Sequence, residues 1–121
     1  MSWQPRNGGL EVEHVGRVAV VRFLRRQIVT EEAVEALGEQ LLSLGDDSGH
    51  CQVVLKFGNV ERVSTTLLGK LVALQQRLRL TGGGLALCEV RPELQAVLRT
   101  LRLRRYLNVC GSEADALQPL L

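Results

Sequence analysis

Aromatic rings are scarce in this chain: Trp3, Phe23, Phe57 and Tyr106 are the only four among 121 residues. A surface that works by stacking bases on rings starts with too few of them. Histidine is scarcer still, with His14 and His50 alone. His14 falls on a predicted edge strand, and His50 directly precedes Cys51, so on an extended chain those two neighbouring side chains point opposite ways. With no GxSxG elbow and no HExxH pair, nucleophilic hydrolysis and a catalytic zinc site both lack their parts. Three cysteines, Cys51, Cys88 and Cys110, contain no CxxC pair. An odd count so spaced argues against a disulfide framework and a structural zinc, and each cysteine reads as a small core residue. No cofactor is expected.

Long apolar runs are absent as well. The longest, such as Val18-Ala19-Val20-Val21, are about four residues, whereas a bilayer span needs roughly 18 or more. Membrane insertion is not expected. Residues 1–9 carry no apolar segment of the secretory kind, and the expected location is cytoplasmic. What the chain has in abundance is leucine, at 23 residues, within an apolar content of 45% and a charged content of 23%. One aliphatic, globular domain follows, predicted over residues 10–118 behind a Gly/Pro-punctuated lead at 1–9.

The formal net charge of +2 hides an uneven distribution. Residues 31–47 hold six acidic side chains and no basic one; residues 77–105 hold seven arginines against two glutamates. Two faces of opposite sign suit docking to a complementary protein, or simply lie in solvent. Arg99, Arg102, Arg104 and Arg105 have no set of base-reading amides and rings beside them, Tyr106 being a single ring. They read as a solvated helix end that complements the helix dipole, and no nucleic-acid partner is expected.

Periodicity gives the order β-β-α-β-α-β-α-β-α. Leu10–His14 alternates as a half-buried edge strand, Gly16 turns the chain, and Arg17–Leu24 reads as a central strand. Thr30 caps a helix whose apolar positions run from Ala33 to Leu44, with Glu31 and Glu32 at the positive end of its dipole. Cys51–Phe57 is a strand, Gly58–Val63 a loop, and Ser64–Leu80 a helix striped by Leu67, Leu71, Leu74 and Leu78. Thr81-Gly82-Gly83-Gly84 stops it. Leu85–Val90 is a strand, and Pro92 opens a helix with Leu94, Val97, Leu98 and Leu101 in register. Leu107–Cys110 is a final strand before a helix capped by Ser112. Single-helix connections demand right-handed crossovers, so the sheet is mixed and mostly parallel, with about five strands and about four helices. The helices are expected to cover one face and leave the other to the N-terminal hairpin or to solvent.

The glycine run follows a helix and precedes a strand, the reverse of a phosphate-cradling loop, and Leu68-Gly69-Lys70 lies inside a helix, so no P-loop exists. The remaining feature is Ser64-Thr65-Thr66, three hydroxyls where a loop becomes a helix. Capping needs only Ser64. Thr65 and Thr66, β-branched and of mediocre helix propensity, are left over. A phosphate on Thr66 would sit at the positive helix end and add about −1.5 to −2 charges at pH 7. On the residues alone, capping and switching both remain open.

The stretch Val53–Phe57 through Ser64-Thr65-Thr66-Leu67-Leu68-Gly69, then Gly82–Cys88, Arg91-Pro92-Glu93-Leu94 and Leu107-Asn108-Val109, resembles a STAS domain of the stand-alone anti-sigma factor antagonist type. The resemblance implies the STAS-like α/β fold and a non-enzymatic role in transcription regulation by partner switching. The partner it implies is an anti-sigma factor that is also a serine/threonine kinase of the GHKL type, released when a Ser or Thr at the helix start is phosphorylated. In the family pattern Asp-Ser-Ser/Thr-Gly-Leu-Gly the second hydroxyl is the acceptor. It falls on Thr66, with Thr65 and Ser64 as the alternatives. Ser64 stands in the place of the Asp, Leu67 in that of the first Gly, and Gln27 where the family tends to carry an acidic residue. Leu67 is expected to crowd a loop that the family keeps open.

The docking surface implied comprises Gln27, Thr30, Asn59, Glu61, Ser64, Thr65, Thr66, Leu67 and Lys70, on a monomer or weak homodimer. Two alternatives stand beside it. One is a sensor module holding a small molecule or lipid in an aliphatic pocket; the other is a component of a larger signalling or transport assembly.

Overall fold

The fold is seen in a computed structural model that describes residues 3–6, 9–46 and 52–117. Its main sheet has six strands in the order β1-β2-β3-β5-β7-β8. They are β1 (Gln4–Arg6), β2 (Leu10–Val15), β3 (Val18–Phe23), β5 (Gln52–Lys56), β7 (Gly84–Cys88) and β8 (Asn108–Cys110). A separate pair, β4 (Gln27–Ile28) and β6 (Arg62–Val63), forms a two-stranded parallel ribbon. The helices are α1 (Glu31–Asp46), α2 (Thr65–Leu80), α3 (Pro92–Thr100) and α4 (Glu113–Leu117), with a 3₁₀ turn at Leu103–Arg105.

β2 and β3 pair antiparallel through a tight hairpin in which Gly16 takes φ +60°, a conformation that favours a residue without Cβ. From β3 onward every neighbour in the sheet is parallel, and α1, α2 and α3 each fill a crossover. The mixed, mostly parallel sheet expected from the element order is therefore present.

Two segments differ from expectation. Part of the lead belongs to the sheet, since Gln4–Arg6 pairs antiparallel with Leu10–Val12. Pro5 is compatible there because an edge strand does not need every ladder donor. Within the expected loop at 58–63, Arg62–Val63 pairs with Gln27–Ile28; two-residue strands are too short to leave a periodic signal. His50, Cys51, Leu120 and the loop at Asp47-Ser48-Gly49 lie outside the described residues.

Strand alternation sorts the interior into two layers. On one face Val12, Ala19, Val21, Phe23, Val53, Leu55, Leu85 and Leu87 join Leu37 and Leu41 of α1, the leucines of α2, and Leu94 and Leu98 of α3. Phe23 and Phe57 meet there with ring centroids 4.8 Å apart. Burying each such leucine contributes about 1.5–3 kcal/mol relative to exposure, which is how an aliphatic stripe fixes α2 on the sheet. Val97 and Leu101, expected in the α3 stripe, are exposed instead, because the nine-residue helix turns only Leu94 and Leu98 inward.

The other face is not left to solvent. Val18, Val20, Val54, Ala86 and Cys88 are covered by Ala116 and Leu117 of α4, with Trp3 and Cys110 packed at the margin. The Arg22 guanidinium lies 4.4 Å from the Trp3 ring centroid and also pairs with Glu11. Lys56 Nζ sits 2.7 Å from Glu113 and 3.5 Å from Glu89, tying α4 to the end of β5.

Candidate functional site

Thr30 and Ser64 begin the two helices that flank the site, and each caps its own helix. Thr30 Oγ1 accepts from the Ala33 amide at 3.2 Å, and Ser64 Oγ accepts from the Thr66 amide at 3.1 Å. The loops that present them are tied together through the backbone. The Glu61 and Arg62 amides both donate to the Arg26 carbonyl, at 2.7 and 3.2 Å, and the Ser64 amide donates to the Ile28 carbonyl at 2.8 Å. Asn59 Nδ2 donates to the Phe23 carbonyl at 3.1 Å, fixing the loop after β5 to the end of β3. Arg91 Nε donates to the Gly58 carbonyl at 3.2 Å, which holds the same loop from the α3 side. The start of α2 is thus a braced corner, its backbone tied to the loops on either side.

The corner opens into a cleft of about 370 Å³ lined by Val29, Glu31, Val34, Glu35, Ser64, Thr66 and Lys70. The structure therefore brings together three of the expected residues: Ser64, Thr66 and Lys70. Thr65 and Glu61 are exposed beside the cleft without lining it, as is Gln27 on β4. Asn59 and Thr30 have their side chains engaged in bracing and capping. Leu67 is a correction. Its side chain is completely buried within the α2 stripe, so it neither offers a contact to a partner nor crowds the corner. The helical phase one step past the exposed Thr66 turns it into the core.

The electrostatics of the cleft come from α1. Glu31, Glu32, Glu35 and Glu39 are all exposed, and the last turn of that helix carries no basic residue. Lys70 brings a cation to them. Its aliphatic stem lies across Gly38, where an added Cβ would stand 2.7 Å from Lys70 Cδ. Among the described residues Lys70 makes no ion pair. Leu24 and Val29 add apolar surface at the same end, each 46% exposed. The arrangement offers hydroxyls, a carboxylate-rich rim, the Lys70 ammonium and a small apolar contact.

Chemistry elsewhere is muted. Burial, reinforced by the charge of Glu89, pushes the Cys88 thiol up to about 12, so it stays protonated and unreactive at neutral pH. The hydrogen bond to Glu113 raises Lys56 above the ordinary lysine range, against the opposing effect of burial. Among the described residues no group of three or more His, Cys, Asp or Glu side chains is placed to hold a metal ion.

Sequence reasoning missed Gln75, the one buried polar residue among those described. Its Oε1 accepts from the Leu85 amide at 2.6 Å, and its Nε2 donates to the Leu85 carbonyl at 3.4 Å, which joins α2 to β7. The signal was available: residue 75 follows Leu71 by four positions, so it shares the buried stripe.

The order of strands and the three crossover helices on one face define a small α/β domain with a hydroxyl-rich start to α2. Residues 10–116 match the family model for the STAS domain, and the chain belongs to that family. No curated protein sequence matches it. Among solved structures it resembles an anti-sigma-factor antagonist (STAS) domain protein from Planctomyces limnophilus, with TM-score 0.81, 22% identity, and coverage of 93% of this chain and 97% of that one. It also resembles the anti-sigma factor antagonist SpoIIAA in its unphosphorylated form, with TM-score 0.70, 16% identity, and coverage of 98% and 97%. SpoIIAA, of Bacillus, has been solved in a phosphorylated form too. RsbS of Moorella thermoacetica matches with TM-score 0.73, 18% identity, and coverage of 90% and 92%. These likenesses establish the fold.

Proposed function

We propose that the chain is a non-enzymatic regulatory module that binds a protein partner through the start of α2, in the manner of an anti-sigma factor antagonist, and that phosphorylation of Thr66 switches this binding off. The observation that carries the reading is the placement of Thr66. It is an exposed hydroxyl on a braced helix start, in a cleft rimmed by Glu31 and Glu35 and reached by Lys70. The departures from the family pattern are physically compatible with this role. Ser64 performs the capping that an Asp would perform, and Leu67 is withdrawn into the core.

A phosphate on Thr66 places about two negative charges beside two carboxylates and one ammonium. The balance in the cleft becomes repulsive, so the modified side chain is driven outward and alters the surface that a partner meets. The acidic face of α1 favours a partner whose docking surface is basic around a small apolar centre that receives Leu24 and Val29. The partner that the family resemblance suggests, an anti-sigma factor with kinase activity of the GHKL type, both reads and writes this position. The site acts within the cytoplasm as a monomer or weak homodimer.

The test is to capture partners on the immobilised protein from its native cell extract and to map phosphate on the peptide containing residues 64–66. The expected result is a kinase-type partner retained by the unmodified protein, with phosphate on Thr66. Phosphate confined to Thr65 or Ser64 would move the acceptor, and a partner retained equally by the fully phosphorylated protein would refute the switch.

A further inference from the structure

At the opposite end of the sheet, where β5, β7 and β8 begin, a second cavity of about 750 Å³ opens between the end of α2 and the 3₁₀ turn. It is the larger of the two, and its character is the reverse of the first. Arg79, Arg104 and Arg105 line it with Gln52, Tyr106 and Asn108, and no carboxylate does so among the described residues. We propose that this cavity binds a ligand through a phosphate group, gripped by the three guanidinium groups.

Three observations support the assignment. First, none of these arginines makes an ion pair with a described residue. Three like charges around one hollow repel each other unless an anion joins them, and the planar guanidinium fork matches phosphate oxygens two at a time. A ligand carrying two or more charges offsets the cluster better than a single carboxylate does. Second, the cluster is assembled by special backbone. Gly82, at φ +85°, ends α2 in a tight reversal in which the Gly82 amide donates to Arg79 and the Gly83 amide to Leu78, at 3.1 and 2.8 Å. Arg102, which has a Cβ, nevertheless holds φ +57° immediately before the 3₁₀ turn whose Arg104 and Arg105 line the same cavity as Arg79. Third, a dipole-complementing role at a helix end accounts for Arg79 but not for the pair on the 3₁₀ turn. The four arginines read from the sequence as a solvated helix end are all exposed, and Arg104 and Arg105 also line the cavity.

Calorimetric titration of the purified 121-residue chain with pyrophosphate tests the site, and vesicles of phosphatidylcholine with and without phosphatidic acid form a second arm. Saturable pyrophosphate binding assigns the phosphate to a soluble molecule. Binding only to the phosphatidic acid vesicles assigns it to a lipid headgroup. In either case Arg104→Gln and Arg105→Gln each weaken binding by roughly tenfold or more. Arg104→Lys keeps a part of the affinity, and Arg26→Gln, at the other end of the molecule, changes nothing. These side chains are exposed, so thermal melting stays at the wild-type value and separates loss of binding from loss of fold. Three results overturn the proposal: no binding of either probe, binding unaltered in the Arg104→Gln/Arg105→Gln double variant, or acetate bound as tightly as pyrophosphate. Because the cavity and Thr66 lie at opposite ends of α2, none of these results bears on the docking proposal.

Discussion

The two ends of α2 are built for different company. At its start Ser64 caps the helix, two threonines are exposed, and the cleft is rimmed by carboxylates of α1 and reached by Lys70. At its end a glycine turn closes the helix, Gln75 pins it to β7, and the nearest charges are arginines. The same leucine stripe runs between them and keeps both ends in register with the sheet. One helix therefore presents an acidic, hydroxyl-bearing corner and a basic hollow on a common aliphatic support. Sign of charge and type of surface can be tuned at either end without touching the core that holds both.

Substitutions sharpen this contrast in order of their size. Leu67→Ala removes a fully buried side chain at the start of the helix and is expected to lower unfolding free energy by about 2–5 kcal/mol in denaturant titrations, whereas its neighbour Thr66→Ala costs under about 0.5 kcal/mol. Equal costs at the two positions would mean that the helix is rotated relative to this description. At the other end Gln75→Ala strands the amide and carbonyl of Leu85 and is expected to cost about 1–3 kcal/mol, measured in the same way. Ser64→Ala removes a cap worth about 0.5–2 kcal/mol, and Ser64→Asp restores it, because either side chain can accept from the Thr66 amide.

The smallest effect near neutrality concerns pH. The Cys88 thiol, raised from an ordinary 9.0 to about 12, is neutral in both folded and unfolded chains well below pH 9. Above that the unfolded chain loses the proton first, so stability falls as pH rises from 9 towards 12. Lys56, also raised, adds a loss in the alkaline range as its ammonium is neutralised. Melting temperatures measured across this range should decline, and Cys88→Ala should flatten the part of the decline due to the thiol.

Much of this was legible in the sequence, for physical reasons that differ by region. The α2 stripe and its cap were readable because helical period and capping chemistry are local. The parallel sheet followed from the alternation of apolar strands with single helices. The β4–β6 ribbon was not readable, since two-residue pairings are made by tertiary approach and not by pattern. Leu67 was misplaced because matching a motif position by position ignores helical phase, which buries the residue directly after an exposed one. The arginine cavity was hidden for a third reason: Arg79 and Arg104 are 25 positions apart, and only the crossover of α3 brings their elements together. Net charge along the sequence showed the arginines but not the hollow between them.

The most direct test of the switch is a titration of the captured partner against three forms of the chain: wild type, Thr66→Ala and Thr66→Glu. The account predicts that the alanine variant binds within a few-fold of wild type, and that the glutamate variant, with a fixed negative charge facing Glu31 and Glu35, binds at least roughly tenfold more weakly. Equal affinity for the alanine and glutamate variants would contradict it and remove Thr66 from the mechanism.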